Sequence, residues 1–155
     1  MNPKLALLSN GRKLSYAEYG APDGRPVLLL HGLVGSVTSE GMEEQLAGIP
    51  LRVLALARPG YGASDYFEMS YVADWPRQLK AFLDDLGLHS FDVYAISAGA
   101  PYRYALAAFY PDRVRAVYVN SGVPAVCLPE VLACYSPQDA ALYARWRKMS
   151  RQEIG

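Results

Sequence analysis

The stretch Phe91-Asp-Val-Tyr-Ala-Ile-Ser97-Ala-Gly99-Ala-Pro-Tyr-Arg-Tyr-Ala-Leu-Ala-Ala-Phe-Tyr110 decides how this chain is read. It opens as an apolar run of strand type, turns at Ala95-Ile96-Ser97-Ala98-Gly99, and continues as a helix that Pro111-Asp112 brings to a stop. The turn puts a serine at its tip and small residues, Ala95 and Gly99, where the backbone must crowd. A strained strand-to-helix turn of this kind exposes the serine oxygen at the top of an α/β sheet. The same string also fits an ordinary βα turn in which serine caps the helix. The residues on either side decide between the two.

Upstream, Val27–Leu30 and Leu51–Ala57 are continuous apolar runs, as expected of strands buried on both faces. Each runs into a glycine-containing loop, His31-Gly-Leu-Val-Gly35 after the first and Arg58-Pro-Gly-Tyr-Gly-Ala-Ser64-Asp65 after the second. Earlier still, Lys4–Leu8 and Lys13–Tyr19 flank Asn10-Gly11, a hairpin signal, and predict an antiparallel pair at one edge of the sheet. A short helix is expected around Gly41–Ala47. A longer one is expected from Asp74 to Leu86, with Asp74 as its cap, Pro76 in its first turn and Gly87 at its exit. Val72, Trp75, Leu79, Phe82, Leu83 and Leu86 recur at helical spacing and predict a core-facing stripe. A helix is expected from Ala98 to Tyr110, and Val114–Asn120 reads as a further strand with apolar residues on both faces. Beyond Pro124 the character changes. Ser136-Pro-Gln-Asp139 resembles a helix start, and Leu142, Tyr143, Trp146 and Met149 form an amphipathic stripe.

Strands alternating with helices imply an α/β architecture, a mostly parallel sheet with flanking helices. In such sheets the site lies beyond the carboxyl ends of the strands, near a switch in strand order. The loops after residues 30, 57 and 96 all leave from that end. The counts of Lys+Arg and Asp+Glu are both 15, so charge gives no reason to expect nucleic acid or an anionic membrane as partner. There is no transmembrane-length apolar run and no signal-peptide pattern at the N-terminus, so a cytoplasmic protein is expected. The two cysteines, Cys127 and Cys134, lack zinc-like companions and read as buried thiols. No metal cluster is visible, no cofactor is called for, and no Gly-Lys-Ser/Thr follows the glycine-rich loop to make a phosphate cradle.

Taken together, His31-Gly32-x-x-Gly35, Arg58-Pro-Gly-Tyr-Gly62-x-Ser64-Asp65 and Ala95-x-Ser97-x-Gly99 resemble the signatures of the α/β-hydrolase superfamily, in the same order. The resemblance covers about residues 1–124, read as the N-terminal part of the core through its sixth strand. Residues 125–155 then look like the beginning of a helical lid. It implies that Ser97 is the nucleophile of a nucleophile elbow. It also implies that the backbone N–H groups of Leu33 and Ala98 form an oxyanion hole, with His31, Gly32, Gly35, Ala95 and Gly99 in support. Serine rather than aspartate at the tip favours acyl transfer on an ester, thioester or amide over epoxide or haloalkane chemistry.

The resemblance also sets a limit. A serine hydroxyl needs a positioned base, and in this fold the order is Ser, then Asp or Glu, then His. The chain has two histidines, His31 and His89, and both precede Ser97. His89 sits eight positions before the serine, roughly 25 Å away along an extended strand. His31 belongs to the oxyanion loop. Asn120-Ser121 ends the last strand without a carboxylate. The triad acid and base are therefore expected to be absent from this chain, and the fold to be incomplete at its C-terminal end through truncation or a divided gene. The expected partners are a small-molecule acyl substrate and, at the exposed strand Val114–Asn120, a second copy or a complementing C-terminal polypeptide. Two alternatives stand beside the serine hydrolase: a non-catalytic binding protein that keeps the pocket, and one half of a two-chain enzyme.

Overall fold

The apolar runs alternate across a sheet whose two faces bury different sets of side chains. The computed structural model describes residues 2–126, 128–150 and 153, so Cys127 lies outside the described residues. The chain divides into two units, one ending at Val123 and the other beginning at Pro124.

The first unit holds a six-stranded sheet in the order β1-β2-β4-β3-β5-β6. The strands are β1 (Lys4–Leu7), β2 (Lys13–Gly20), β3 (Arg25–Leu30), β4 (Leu51–Leu56), β5 (Phe91–Ile96) and β6 (Val114–Asn120). β1 and β2 form the expected antiparallel hairpin, and β2 runs antiparallel to β4. β3, β4, β5 and β6 are mutually parallel. In the hairpin turn Gly11 takes φ +75°, Gly11 N donates to Leu8 O (2.9 Å) and Arg12 N donates to Asn10 Oδ1 (3.0 Å). This is the left-handed backbone that Asn-Gly supplies at little cost.

Because side chains alternate along a strand, Leu28, Leu30, Leu54 and Leu56 point to one face and Val27, Val53 and Ala55 to the other. Over the first face lie α2 (Asp74–Gln78), α3 (Lys80–Asp85) and α4 (Ala100–Phe109), which bring Trp75, Leu79, Phe82, Leu83 and Leu106 into the core. Each large aliphatic side chain buried there contributes roughly 1.5–3 kcal/mol. Trp75 is fully buried, with its ring edge-on to Tyr102 at 5.3 Å. The opposite face is covered by α1 (Met42–Leu46) and keeps an open groove of about 490 Å³ bordered by Val27, Leu29, Tyr94, Ile96 and Tyr118. At the amino ends of the strands the buried carboxylate of Asp92 pairs with Arg25 (3.0 Å) and Arg115 (3.2 Å), tying β3, β5 and β6 together.

Three sequence expectations need correction. The helix expected over Asp74–Leu86 is interrupted at Leu79 and has Ala73, not Asp74, at its cap position, with no side-chain cap. Pro76 O accepts from Tyr110 Oη (2.7 Å) and from Leu79 N three residues on (3.1 Å), so the helix tightens where a regular turn would continue. Asp74 Oδ2 instead receives Tyr71 N (3.0 Å). The exit follows expectation: Gly87 has φ +65°, Gly87 N donates to Asp84 O and Leu88 N to Leu83 O, the pair of bonds of a Schellman end. The helix expected from Ala98 begins as a 3-10 turn over Ser97–Gly99, and α4 proper starts at Ala100. Cys134, expected to be buried, is exposed.

The second unit contains α5 (Pro129–Leu132) and α6 (Pro137–Trp146). Ser136 caps α6 as expected, its hydroxyl accepting from Asp139 N at 3.2 Å. Tyr143 stacks edge-on with Tyr135 (5.2 Å) and with Trp146 (5.6 Å), so the aromatic part of the predicted stripe is a local cluster. No helix is long and apolar enough to cross a membrane among the described residues.

Candidate active site

Strand order places the candidate residues together. The chain passes from β3 to β4 on one side and then crosses back to β5 on the other. The loops after β3 and β5 therefore leave the sheet in opposite directions from adjacent strands, the crevice in which open α/β sheets bind ligands.

Ser97 follows β5 directly and takes φ 47°, one of two non-glycine residues with positive φ among those described. A side chain in that region costs roughly 1–2 kcal/mol, and such strain persists where the surroundings over-determine it. Here two donors hold the Ser97 carbonyl, Ala100 N and Val123 N, the latter at 3.2 Å. The small neighbours are required. A Cβ on Gly99 would sit 2.5 Å from Leu30 O, and one on Gly35 would sit 2.8 Å from His31 Cβ. A Cβ on Gly32 would come within 3.4 Å of Ser97 Cβ, so the backbone of the β3 loop lies directly against the serine. Ala95 is fully buried within β5, opposite Leu30 and Val119.

His31 is engaged at both ring nitrogens. Nε2 accepts the backbone N–H of Arg58 (3.3 Å), which leaves Nδ1 protonated to donate to Gly32 O (2.8 Å). Burial holds its pKa below the ordinary value and the nearby Arg58 cation adds to this, while the bond to Gly32 acts in the opposite sense. The ring is a neutral brace between two loops. His89 is exposed and precedes β5, at the far end of the strand from Ser97.

Arg58 is the residue the sequence reading left out of the site. It is buried, its Nη2 donates to Gly32 O (2.8 Å), and its guanidinium lies 4.3 Å from the Tyr61 ring centre and 5.5 Å from that of Tyr102. Gly32 O thus receives two donors, His31 Nδ1 and Arg58 Nη2. They fix the peptide joining Gly32 to Leu33, and in a trans peptide the N–H points away from the C=O. The Leu33 N–H is therefore held facing away from the brace. The sequence marks Arg58 as the first residue of the glycine-rich Arg58–Asp65 motif, just after a buried strand, but carries no sign that its side chain reaches Gly32. Among the described residues, no group of His, Cys, Asp and Glu could hold a metal ion.

The mostly parallel α/β sheet thus carries a strained serine at the β5–α4 turn, beside a glycine loop at the switch in strand order. Comparison with known proteins gives the family. Residues 25–150 match the model of the alpha/beta hydrolase fold, and the chain belongs to that family. It is 32% identical over 114 residues to the uncharacterized hydrolase YcgS of Bacillus subtilis, a match covering 74% of this chain and 39% of that protein. It is 29% identical over 123 residues to the uncharacterized hydrolase YNR064C of Saccharomyces cerevisiae, covering 74% and 40%. Among solved structures, a carboxylesterase study of Nitrososphaera gargenis supplies a fold match with TM-score 0.69 and 22% identity, over 83% of this chain and 49% of that one. An epoxide hydrolase mutant of Vigna radiata matches with TM-score 0.62 and 28% identity, over 76% and 37%. The chain thus spans less than half the length of these relatives.

Proposed function

We propose that this chain supplies the nucleophile half of a serine hydrolase that acts on an ester, thioester or amide by acyl transfer. Ser97 is the nucleophile, and Leu33 N–H and Ala98 N–H are the oxyanion donors. The observation that supports this most directly is the pinned Gly32–Leu33 peptide beside a strained Ser97. In acyl transfer a carbonyl oxygen becomes negative as the serine oxygen attacks, and donors fixed beforehand stabilise that charge without reorganising. Ala98 lies in the first turn after Ser97, where unpaired N–H groups and the positive end of the helix dipole favour an anion.

The attacking hydroxyl must lose its proton to a base. His31 is unsuited to that task, since Nε2 already accepts the Arg58 N–H and burial disfavours the imidazolium. The base and its orienting acid are assigned to polypeptide outside these residues, in keeping with the share of the relatives' length that the chain covers. A triad lacking a member retains oxyanion-hole catalysis but loses several orders of magnitude in rate. The engagement of His31 also favours a second reading, a binding protein that keeps the pocket without turnover.

Incubating the 155-residue chain with a fluorophosphonate probe separates these readings. Slow labelling of the wild type that disappears in Ser97→Ala is the expected result. Fast stoichiometric labelling would show that a base is present within the chain. Labelling unchanged in Ser97→Ala would remove Ser97 as nucleophile.

A further inference from the structure

Among the described residues two that are not glycine have positive φ, Ser97 (φ 47°) and Ser121 (φ 49°), and they stand at the exits of neighbouring strands. Ile96 ends β5 and Asn120 ends β6, and these two are partners in the parallel register, so each serine is the first residue beyond its strand. A left-handed backbone costs a residue with a Cβ roughly 1–2 kcal/mol. Such strain persists where surrounding contacts hold it, and it clusters at functional sites. The turn at Ser97 is the elbow described above. The turn at Ser121 has no part in the chemistry assigned so far.

That second turn makes a close approach to the first. Ser121 bends the chain as it leaves β6, its hydroxyl donating to Asn120 Oδ1 (3.1 Å). Gly122 then passes tightly over two elements: a Cβ there would sit 2.5 Å from Val119 Cγ1 on β6 and 3.3 Å from the Cβ of Ala100, the first residue of α4. Any side chain at this position pushes the turn away from both. Val123 follows, and its N–H donates to the Ser97 carbonyl at 3.2 Å. That oxygen also accepts Ala100 N from its own turn, so both of its lone pairs are engaged.

We propose that the Val123 N–H, delivered by the Ser121–Gly122 turn, is a positioning group for the nucleophile and for the oxyanion donor next to it. Ile96, the last paired residue of β5, holds the peptide before Ser97, and the two donors hold the peptide after it. With both flanking planes held, φ and ψ at Ser97 are set, and so is the direction in which its Cβ leaves the backbone. The second of those planes also carries the Ala98 N–H, which in a trans peptide points opposite to the Ser97 carbonyl. The Gly32–Leu33 peptide is held in the same way, its carbonyl receiving His31 Nδ1 and Arg58 Nη2. Each oxyanion donor therefore belongs to a peptide braced by two hydrogen bonds on its oxygen, which is how donors are fixed before charge develops. The inference rests on the reading of Ser97 as nucleophile and extends the site to a turn that places no side chain in it.

The test replaces the Val123 amide by an ester, with α-hydroxyisovaleric acid at that position, which keeps the side chain and removes the N–H. The same exchange at Val131, whose N–H donates to Leu128 O at 3.2 Å, is the control. Gly122→Ala is a second route, lifting the turn by its new Cβ. Thermal unfolding verifies that each form folds. Two readouts follow: the NMR shifts of Ser97 Cα and Cβ, which report its backbone angles, and the rate at which a fluorophosphonate labels Ser97. The ester at 123 and Gly122→Ala are expected to move the shifts away from left-handed values and to slow labelling by about fivefold, the worth of one hydrogen bond, while the ester at 131 does neither. In the wild type, a scalar coupling across the hydrogen bond between the Val123 nitrogen and the Ser97 carbonyl carbon is expected, and its absence overturns the inference without any variant. Unchanged shifts or unchanged labelling in the 123 ester, or equal slowing in the 131 ester, overturn it as well. A wild type that takes no label defeats the reading of Ser97 and not the brace, which the coupling and the shifts decide without any reaction.

Discussion

β5 and β6 are neighbours with nearly the same chemical character and opposite fates. Phe91-Asp-Val-Tyr-Ala-Ile96 and Val114-Arg-Ala-Val-Tyr-Val-Asn120 each combine apolar residues with a single charged residue, and they pair in parallel from Val93 opposite Val117 to Ile96 opposite Asn120. Yet Phe91, Val93 and Ala95 are fully buried, while Val117, Tyr118 and Val119 are substantially exposed. The difference lies in what stands beyond each strand. α4 packs against both strands, but β5 has β3 on its other side, whereas β6 has no strand beyond it among the described residues. Hydropathy states what a strand can bury, and its neighbours determine what it does bury.

The sharpest way to break this comparison is to perturb one side chain in each region. Leu28→Ala, in the buried centre beside β5, is expected to lower unfolding free energy by about 3 kcal/mol. Val117→Thr on β6 is expected to change it by less than about 0.5 kcal/mol. Urea unfolding of both variants measures the contrast, and similar losses would mean that β6 is covered in solution.

A smaller effect tests the strain at the elbow. Glycine accepts φ near +47° without the Cβ penalty, so Ser97→Gly is expected to be more stable than Ser97→Ala by about 1 kcal/mol. Equal stability of the two, measured by the same unfolding curves, would show that the left-handed turn relaxes once the serine is gone.

The smallest effect is a pH dependence. Burial holds His31 below its ordinary pKa of 6.5, so the unfolded chain takes up a proton more readily than the folded one. The stability from keeping the ring neutral is fully present above pH 6.5 and is lost as pH falls toward the lower, folded value. Thermal midpoints across pH 7.5 to about 5.5 should decline in the wild type, with a shallower slope in His31→Gln. An identical slope would assign the titration to another group.

These contrasts mark what the chain's own letters reveal. Asn10-Gly11, the apolar runs and the three glycine loops are local signals, and they place the hairpin, the parallel strands and the strained turn at Ser97 at their observed positions. The break at Leu79 was not legible, because it depends on Tyr110 Oη reaching Pro76 O from another helix. The brace on Gly32 was hidden for the same reason: His31 and Arg58 lie 27 and 26 positions away from their partners in the sheet's opposite loop, Arg58 and Gly32 respectively. Local periodicity does not encode such meetings.

Burial of Trp75 has a practical corollary. The chain has two tryptophans, and they fall in different units: Trp75 is sealed in the sheet's core and Trp146 is 45% exposed on α6. A water-soluble quencher such as iodide reaches the second and not the first. The emission spectrum is thus a built-in two-channel reporter, in which the shielded signal follows melting of the sheet and the quenchable one follows the helical segment, without any added dye.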